Sequence, residues 1–339
     1  MNLSSRTVGF KPGERNVFLH ILTACNLSCR HCYINRGQHG TEMVDRLQLE
    51  TWLNLFADPG RRSNLILLGG EPTLHPDLPF AVRKAKALGY SVTVDTNGYL
   101  FHDFLSRVSP QDLDYLSFSL DGPDAQTNDS IRGEGVFEVC TRGIARAIAA
   151  GFNVSLIYTV SEKNLDALPR MVPLLQQLEV RRWFIQVLGL RGNSAKGDGD
   201  ETSRVSRSRW LEIVPEVAAQ AAAAGVHVIY PQVFLEPGET FECAGNVAEN
   251  YFVFPNGRVY RCPLCEDYPV NALRIEDGRL LLNDGLTEDR FFALDIPEGC
   301  VMNKLLQPDT LEYDEHGRPR YRISCCLLKC EIGWQGGGG

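Results

Sequence analysis

Cys25, Cys29 and Cys32 form a Cys-x-x-x-Cys-x-x-Cys run directly behind an apolar, β-like stretch from Val17 to Leu22. Thiolates are soft ligands that suit iron–sulfur clusters, and spacers this short let one loop wrap a [4Fe–4S] cube through three of its irons. The fourth iron then stays open for another ligand. A zinc knuckle needs four protein ligands, and no further Cys or His stands at a suitable spacing; His31 is squeezed between two of the cysteines. A ferredoxin loop would continue to a fourth Cys before a Pro, and this chain does not.

A second set of thiols lies near the C-terminus: Cys243, Cys262, Cys265, Cys300, Cys325, Cys326 and Cys330 are seven of the eleven cysteines. Between Cys243 and Cys262, the segment Tyr251 to Arg261 alternates in polarity around Asn256-Gly257, a hairpin pattern that brings its flanking cysteines together. Zinc held by Cys262-x-x-Cys265 and the terminal group is one reading, and an iron–sulfur cluster is another. Cys140 falls in an apolar helical pattern, where a free thiol packs as a small hydrophobe. The other role open to it is hydrogen donation to a substrate radical.

The elements that must position these groups follow a β/α rhythm. Strand-like runs cover Asn64 to Leu68, Ser91 to Thr96, Asp114 to Leu120, Asn153 to Val160 and Arg182 to Leu188. Helical patterns cover Arg46 to Phe56, Leu78 to Leu88, Val136 to Ala150 and Leu165 to Leu178. Alternating strands and helices predict a parallel sheet with right-handed crossovers, and six such units make a partial (β/α)6 TIM-like barrel. Its reactive loops belong at the carboxyl ends of the strands. Three polar loops sit there: Gly69-Gly70-Glu71-Pro72, Thr96-Asn97-Gly98, and one that carries Ser119-Leu120-Asp121-Gly122-Pro123 and then Ile131-Arg132-Gly133.

With the cysteine triplet, these loops resemble the radical S-adenosylmethionine (SAM) superfamily, in the branch with a SPASM or Twitch extension. The resemblance implies that the open iron takes the amino and carboxylate groups of SAM, which an electron cleaves to a 5′-deoxyadenosyl radical. It also implies that Gly69, Gly70, Glu71 and Pro72 bind the SAM amino group and that Ser119 reaches its ribose or carboxylate. Asn97 belongs to the same site, Arg132 is a candidate for the carboxylate, Val160 would line the adenine pocket, and His31 would hold adenine through its backbone. Cys243, thirteen residues, Gly257, four residues and Cys262 match the opening half of a SPASM motif. The closing half departs from it, since only Cys326-x-x-x-Cys330 survives. The resemblance therefore implies one auxiliary [4Fe–4S] cluster on Cys243, Cys262, Cys326 and Cys330, with Cys265, Cys300 and Cys325 in reserve.

Composition and spacing suggest a barrel over residues 1–192, a linker loop and helix over 193–225, a small Cys-rich α+β cluster domain over 226–335, and a flexible glycine tail over 336–339. Pro215 should kink the linker helix or mark its first turn. The net charge of −8 disfavours a nucleic-acid partner, and no run of about 18 apolar residues marks a membrane span. Eleven cysteines without an export signal point to a cytoplasmic protein that uses thiols for metal or redox work.

The family implies a ribosomally made peptide as substrate, with a flavodoxin- or ferredoxin-type electron donor. The short run ahead of Val17 leaves leader recognition to a separate peptide-binding protein. A small molecule such as a sugar, nucleoside or amino acid is the alternative substrate. A non-catalytic iron–sulfur electron carrier is the alternative of another class.

Overall fold

A computed structural model describes residues 3–8, 13–195 and 204–334. Its first eight strands are β1 (Leu3–Val8), β2 (Glu14–His20), β3 (Arg62–Leu68), β4 (Ser91–Thr96), β5 (Tyr115–Ser119), β6 (Val154–Val160), β7 (Arg182–Val187) and β8 (His227–Pro231). Strands β2 to β8 lie side by side in chain order and pair in parallel throughout. Parallel neighbours need a crossover, and helices supply it, among them Arg46–Phe56, Leu78–Ala87, Val136–Ala149, Met171–Gln177 and Arg207–Ala223. This is the partial barrel expected from the sequence, with the ends of β2 to β7 moved by at most three residues.

Local chemistry explains the helix limits. Asp45 and Gln48 form a reciprocal cap on Arg46–Phe56, and the helix buries Leu49, Trp52, Leu53 and Phe56 along one stripe. The helix expected over Leu165 to Leu178 divides into a 3-10 turn, Leu165–Arg170, and an α-helix, Met171–Gln177. Pro169 lies at this division and has no N–H to give an α-helical bond. Pro215 sits well inside Arg207–Ala223 and does not mark its first turn.

Most strands beyond the barrel extend its sheet edges, and two of them, Phe234–Leu235 and Arg322–Ile323, pair apart as a small second sheet. In chain order these strands are β9 (Phe234–Leu235), β10 (Glu249–Val253), β11 (Arg258–Tyr260), β12 (Leu273–Glu276), β13 (Arg279–Leu282), β14 (Arg322–Ile323) and β15 (Lys329–Trp334). β10 pairs in parallel with β2, and β11, β12 and β13 follow as an antiparallel meander. At the other edge β15 pairs antiparallel with β8, and β1 with β15. Segment 226–335, expected to stand apart, thus supplies strands to the barrel sheet itself. Exposed ladder edges recruit partners, and here the C-terminal segment covers both ends of the barrel.

The hairpin around Asn256-Gly257 forms as expected, with Phe252 opposite Tyr260 and Gly257 at φ +80°. Residues 196–203, in the expected linker loop, and the tail 336–339 lie outside the described residues. Among the described residues no helix is long and apolar enough to cross a membrane.

Candidate functional site

Behind β2 the chain turns into the cysteine loop, and the loop behind β3 runs alongside it. Gly70 N–H donates to the Leu22 carbonyl and Glu71 N–H to the Ala24 carbonyl, both at 3.0 Å. A Cβ on Gly69 would meet Leu22 O at 2.1 Å, and one on Gly70 would meet Ala24 O at the same distance. Only glycine permits this approach. Glu71 is fully buried. Its Oε1 accepts from Thr73 N (3.1 Å), Thr73 Oγ1 (2.5 Å) and Thr96 Oγ1 (2.8 Å), and its Oε2 accepts from Asn97 N (2.7 Å). Burial pushes its carboxyl up and these donors pull it back. Glu71 therefore pins the β3 and β4 loops to each other, and Pro72 opens the short turn that follows.

Asn97 carries the network to the thiols. Its Nδ2 donates to Asn26 Oδ1 at 2.8 Å and lies 3.8 Å from Cys25 Sγ, which also accepts from Leu27 N at 3.3 Å. On the opposite side, Arg30 N–H donates to Ile131 O at 3.0 Å and the Cys29 thiol lies 3.8 Å from the Arg132 carbonyl. Burial raises all three thiol pKa values, to about 11 for Cys25, while Arg132 opposes the shift at Cys29 and Cys32. A cation that displaces the protons removes this penalty, as metal binding does.

Asp121, at the end of the β5 loop, is the group that sequence reasoning missed. It is fully buried, with His31 Nε2 at 2.8 Å and Arg132 Nε at 2.6 Å from its Oδ2, while its Oδ1 accepts from Thr159 N at 2.7 Å. Burial alone would raise its carboxyl, but Arg132, His31 and the Thr159 N–H hold it down at about 2. Arg132, expected to face a ligand carboxylate, is instead buried against Asp121. Ser119 ends β5 half-buried, and Val160 ends β6 within the core. Cys140 is buried and donates to the Ser119 carbonyl at 3.5 Å. Without access to solvent, it is part of the packing beneath the loops.

The C-terminal cysteines divide. Cys243, Cys262, Cys300, Cys325 and Cys326 line one cavity of about 470 Å³, its mouth included, walled by Phe241, Phe291, Phe292 and Met302. Cys265 is buried in a satellite core with Phe252, Phe254 and Tyr260. Cys330, expected as a ligand, sits on β15 opposite Tyr230 and packs against the barrel core. The strand register takes it away from the cavity, and Cys300 stands there instead.

Backbone N–H groups reach several of these sulfurs: those of Gly245 and Asn246 at Cys243, of Asn303 at Cys300, and of Ala244 and Leu327 at Cys325. Such donors favour thiolate. Burial still pushes Cys243 up to about 11 and Cys300 up to about 12, whereas the Cys326 thiol, donating to Cys325, draws Cys325 down. Among the described residues no three His, Cys, Asp or Glu side chains converge as a single bound ion requires. A cube, by contrast, takes thiolates spread around it. Both thiol sets suit the chemistry of an iron–sulfur cluster.

Residues 19–175 match the model of the Radical SAM superfamily. Pre-heme d1 synthase of Dinoroseobacter shibae is 29% identical over 215 residues, 62% of this chain and 52% of that protein. Mycofactocin maturase MftC of Mycobacterium ulcerans is 28% identical over 261 residues, 71% of this chain and 66% of that one. The first of these matches thus spans about half the length of the curated relative. SuiB of Streptococcus suis, solved bound to precursor peptide SuiA, shares the fold with a TM-score of 0.62 at 13% identity, covering 88% of this chain and 65% of that one. With the cysteine triplet at the mouth of a partial barrel, residues 19–175 form a radical SAM domain.

Proposed function

We propose that this protein reductively cleaves SAM and uses the resulting 5′-deoxyadenosyl radical to remove a hydrogen atom from a peptide substrate, in the SPASM/Twitch manner. The observation that carries this reading is the docking of the Cys25–Cys32 loop on two sides. Gly70, Glu71 and Asn97 hold one flank, and the Asp121–His31–Arg132 ion cluster holds the other. Cys25, Cys29 and Cys32 would hold the N-terminal cluster. When bound, that cluster supplies the electron that splits SAM, drawn from a flavodoxin- or ferredoxin-type donor.

The chain's own residues fix the loop, screen its thiols and limit water. Glu71 and the glycines set the distance between the β2 and β3 loops, and Oε2 of Glu71 has one lone pair left for an ammonium. Arg132, held in place by Asp121, sets a positive charge beside Cys29 and Cys32. The assigned ligands of an auxiliary cluster are Cys243, Cys262, Cys300 and Cys325. This revises the set drawn from sequence by exchanging Cys330 for Cys300 and Cys326 for its neighbour.

The peptide reading is supported by the maturase relative and by the shared fold with SuiB. Relatives named for heme synthesis favour a second reading, a tetrapyrrole substrate. Incubating reconstituted protein with SAM, reductant and either a candidate precursor peptide or a porphyrin separates the two. A mass change in the peptide coupled to 5′-deoxyadenosine supports the first. Turnover with the porphyrin alone overturns it.

A further inference from the structure

The segment that leaves β7 touches both cysteine loops. Arg191 Nη1 donates to Glu266 Oε2 at 2.6 Å and to the Pro263 carbonyl at 2.7 Å, and its guanidinium lies 5.0 Å from the centre of the Tyr33 ring. Gly192 N–H donates to Asp267 Oδ2 at 2.7 Å. Asn193 N–H donates to the Cys32 carbonyl at 2.8 Å, and its Nδ2 to the Cys29 carbonyl at 3.1 Å. A Cβ on Gly192, at φ +56°, would lie 2.5 Å from Cys32 O. The segment is therefore pressed against the N-terminal cysteine loop at one end and hydrogen-bonded to the Pro263–Asp267 turn at the other. Two further ties run in parallel: Asn35 Nδ2 to Asp267 Oδ1 (3.2 Å), and the buried contact of His39 Nε2 with Glu266 O (3.1 Å).

We propose that Arg191, Gly192 and Asn193 form a strap that holds the Cys29–Cys32 turn in register with the turn carrying Cys262 and Cys265, so that loosening either turn loosens the other. Arg191 and Asn193 are positioning residues in this arrangement. Three consecutive residues make five hydrogen bonds to two loops far apart in the chain, one carrying Cys29 and Cys32 and the other following Cys262, which lines the second cavity. Contacts in one network are coupled, so a cut at one end is felt at the other.

Hydrogen–deuterium exchange on the full chain tests this without iron or turnover, so a failure of the SAM-cleavage reading is seen separately. Glu266→Ala cuts the Arg191 bond from the side of the Pro263–Asp267 turn, yet exchange should rise about tenfold at amides 27–32 as well as at 264–268, the signature of a lost cooperative contact, and Arg191→Gln, which also loses the Tyr33 ring, should do the same. Arg191→Lys keeps the charge and should return amides 27–32 most of the way to wild type. Gly192→Ala, which presses on Cys32, should speed exchange at 264–268, and Asn193→Ala should do so more weakly if the glycine variant fails to fold. In reconstituted protein the electron paramagnetic resonance line shape of the reduced N-terminal cluster should change in Arg191→Gln and revert in Arg191→Lys. Effects confined to the loop whose bonds were cut, with an unaltered line shape, overturn the strap.

Discussion

Asp121 is a buried carboxylate whose partners, His31 and Arg132, both adjoin cysteines of the triplet. Removing the carboxylate of a buried ion pair leaves its partner, here Arg132, charged and unpaired, at a cost of about 3–5 kcal/mol. Asp121→Ala should lower unfolding stability by that order in urea titration of the iron-free protein, and the triplet should lose iron. A change below about 1 kcal/mol would show the pair to be incidental. The triplet itself was legible in the sequence, because its ligand spacing is local. Asp121 was visible only as part of a polar loop, since one partner, His31, comes from the cysteine loop and the other, Arg132, from the end of the helix Ala125–Arg132. Cys330 is the opposite case: spacing to Cys326 suggests a ligand, while strand pairing with β8 sets it opposite Tyr230.

At the scale of elements, the join between β2 and β10 was hidden because a parallel pairing of strands so far apart leaves no local pattern. The join is built around Phe254, whose ring stacks on His20 at 4.0 Å and on His39 at 3.9 Å. Burial holds these imidazoles neutral, with pKa values lowered to about 3 and about 4. An unfolded histidine takes up a proton near 6.5, so between that pH and about 4 the unfolded state binds more protons than the native state. Stability should therefore fall as pH drops from 6.5 towards 4, and His39→Asn should flatten that slope in thermal denaturation. An unchanged slope would mean that the stack does not titrate. The glycine pair makes a separate prediction. Gly70→Ala must displace Ala24 and with it Cys25, so iron bound at the triplet should fall severalfold while the far cavity keeps its own.

Across the whole molecule the six expected strands were readable from their β/α rhythm, while the boundary placed at residue 226 was not real as a break in the sheet. β8 and β15 belong to the barrel edge, and apolar alternation alone does not say which sheet a strand joins. The result is one continuous sheet that carries a thiol site at its mouth and a second in the segment folded over it. The proposed pair of four-iron clusters would give about eight irons per chain, and loss of either set should halve the count. Cys300→Ser should remove the auxiliary share, whereas Cys330→Ser should retain it. The reverse outcome would restore the assignment made from spacing.

The most direct measurement is 5′-deoxyadenosine released by anaerobically reconstituted protein given dithionite and SAM. The account predicts release by the wild type and none by Cys25→Ala, with the iron of the C-terminal cavity intact in both. Wild-type protein that holds iron at all three N-terminal thiols yet releases none, or a Cys25→Ala variant that releases as much, would contradict it.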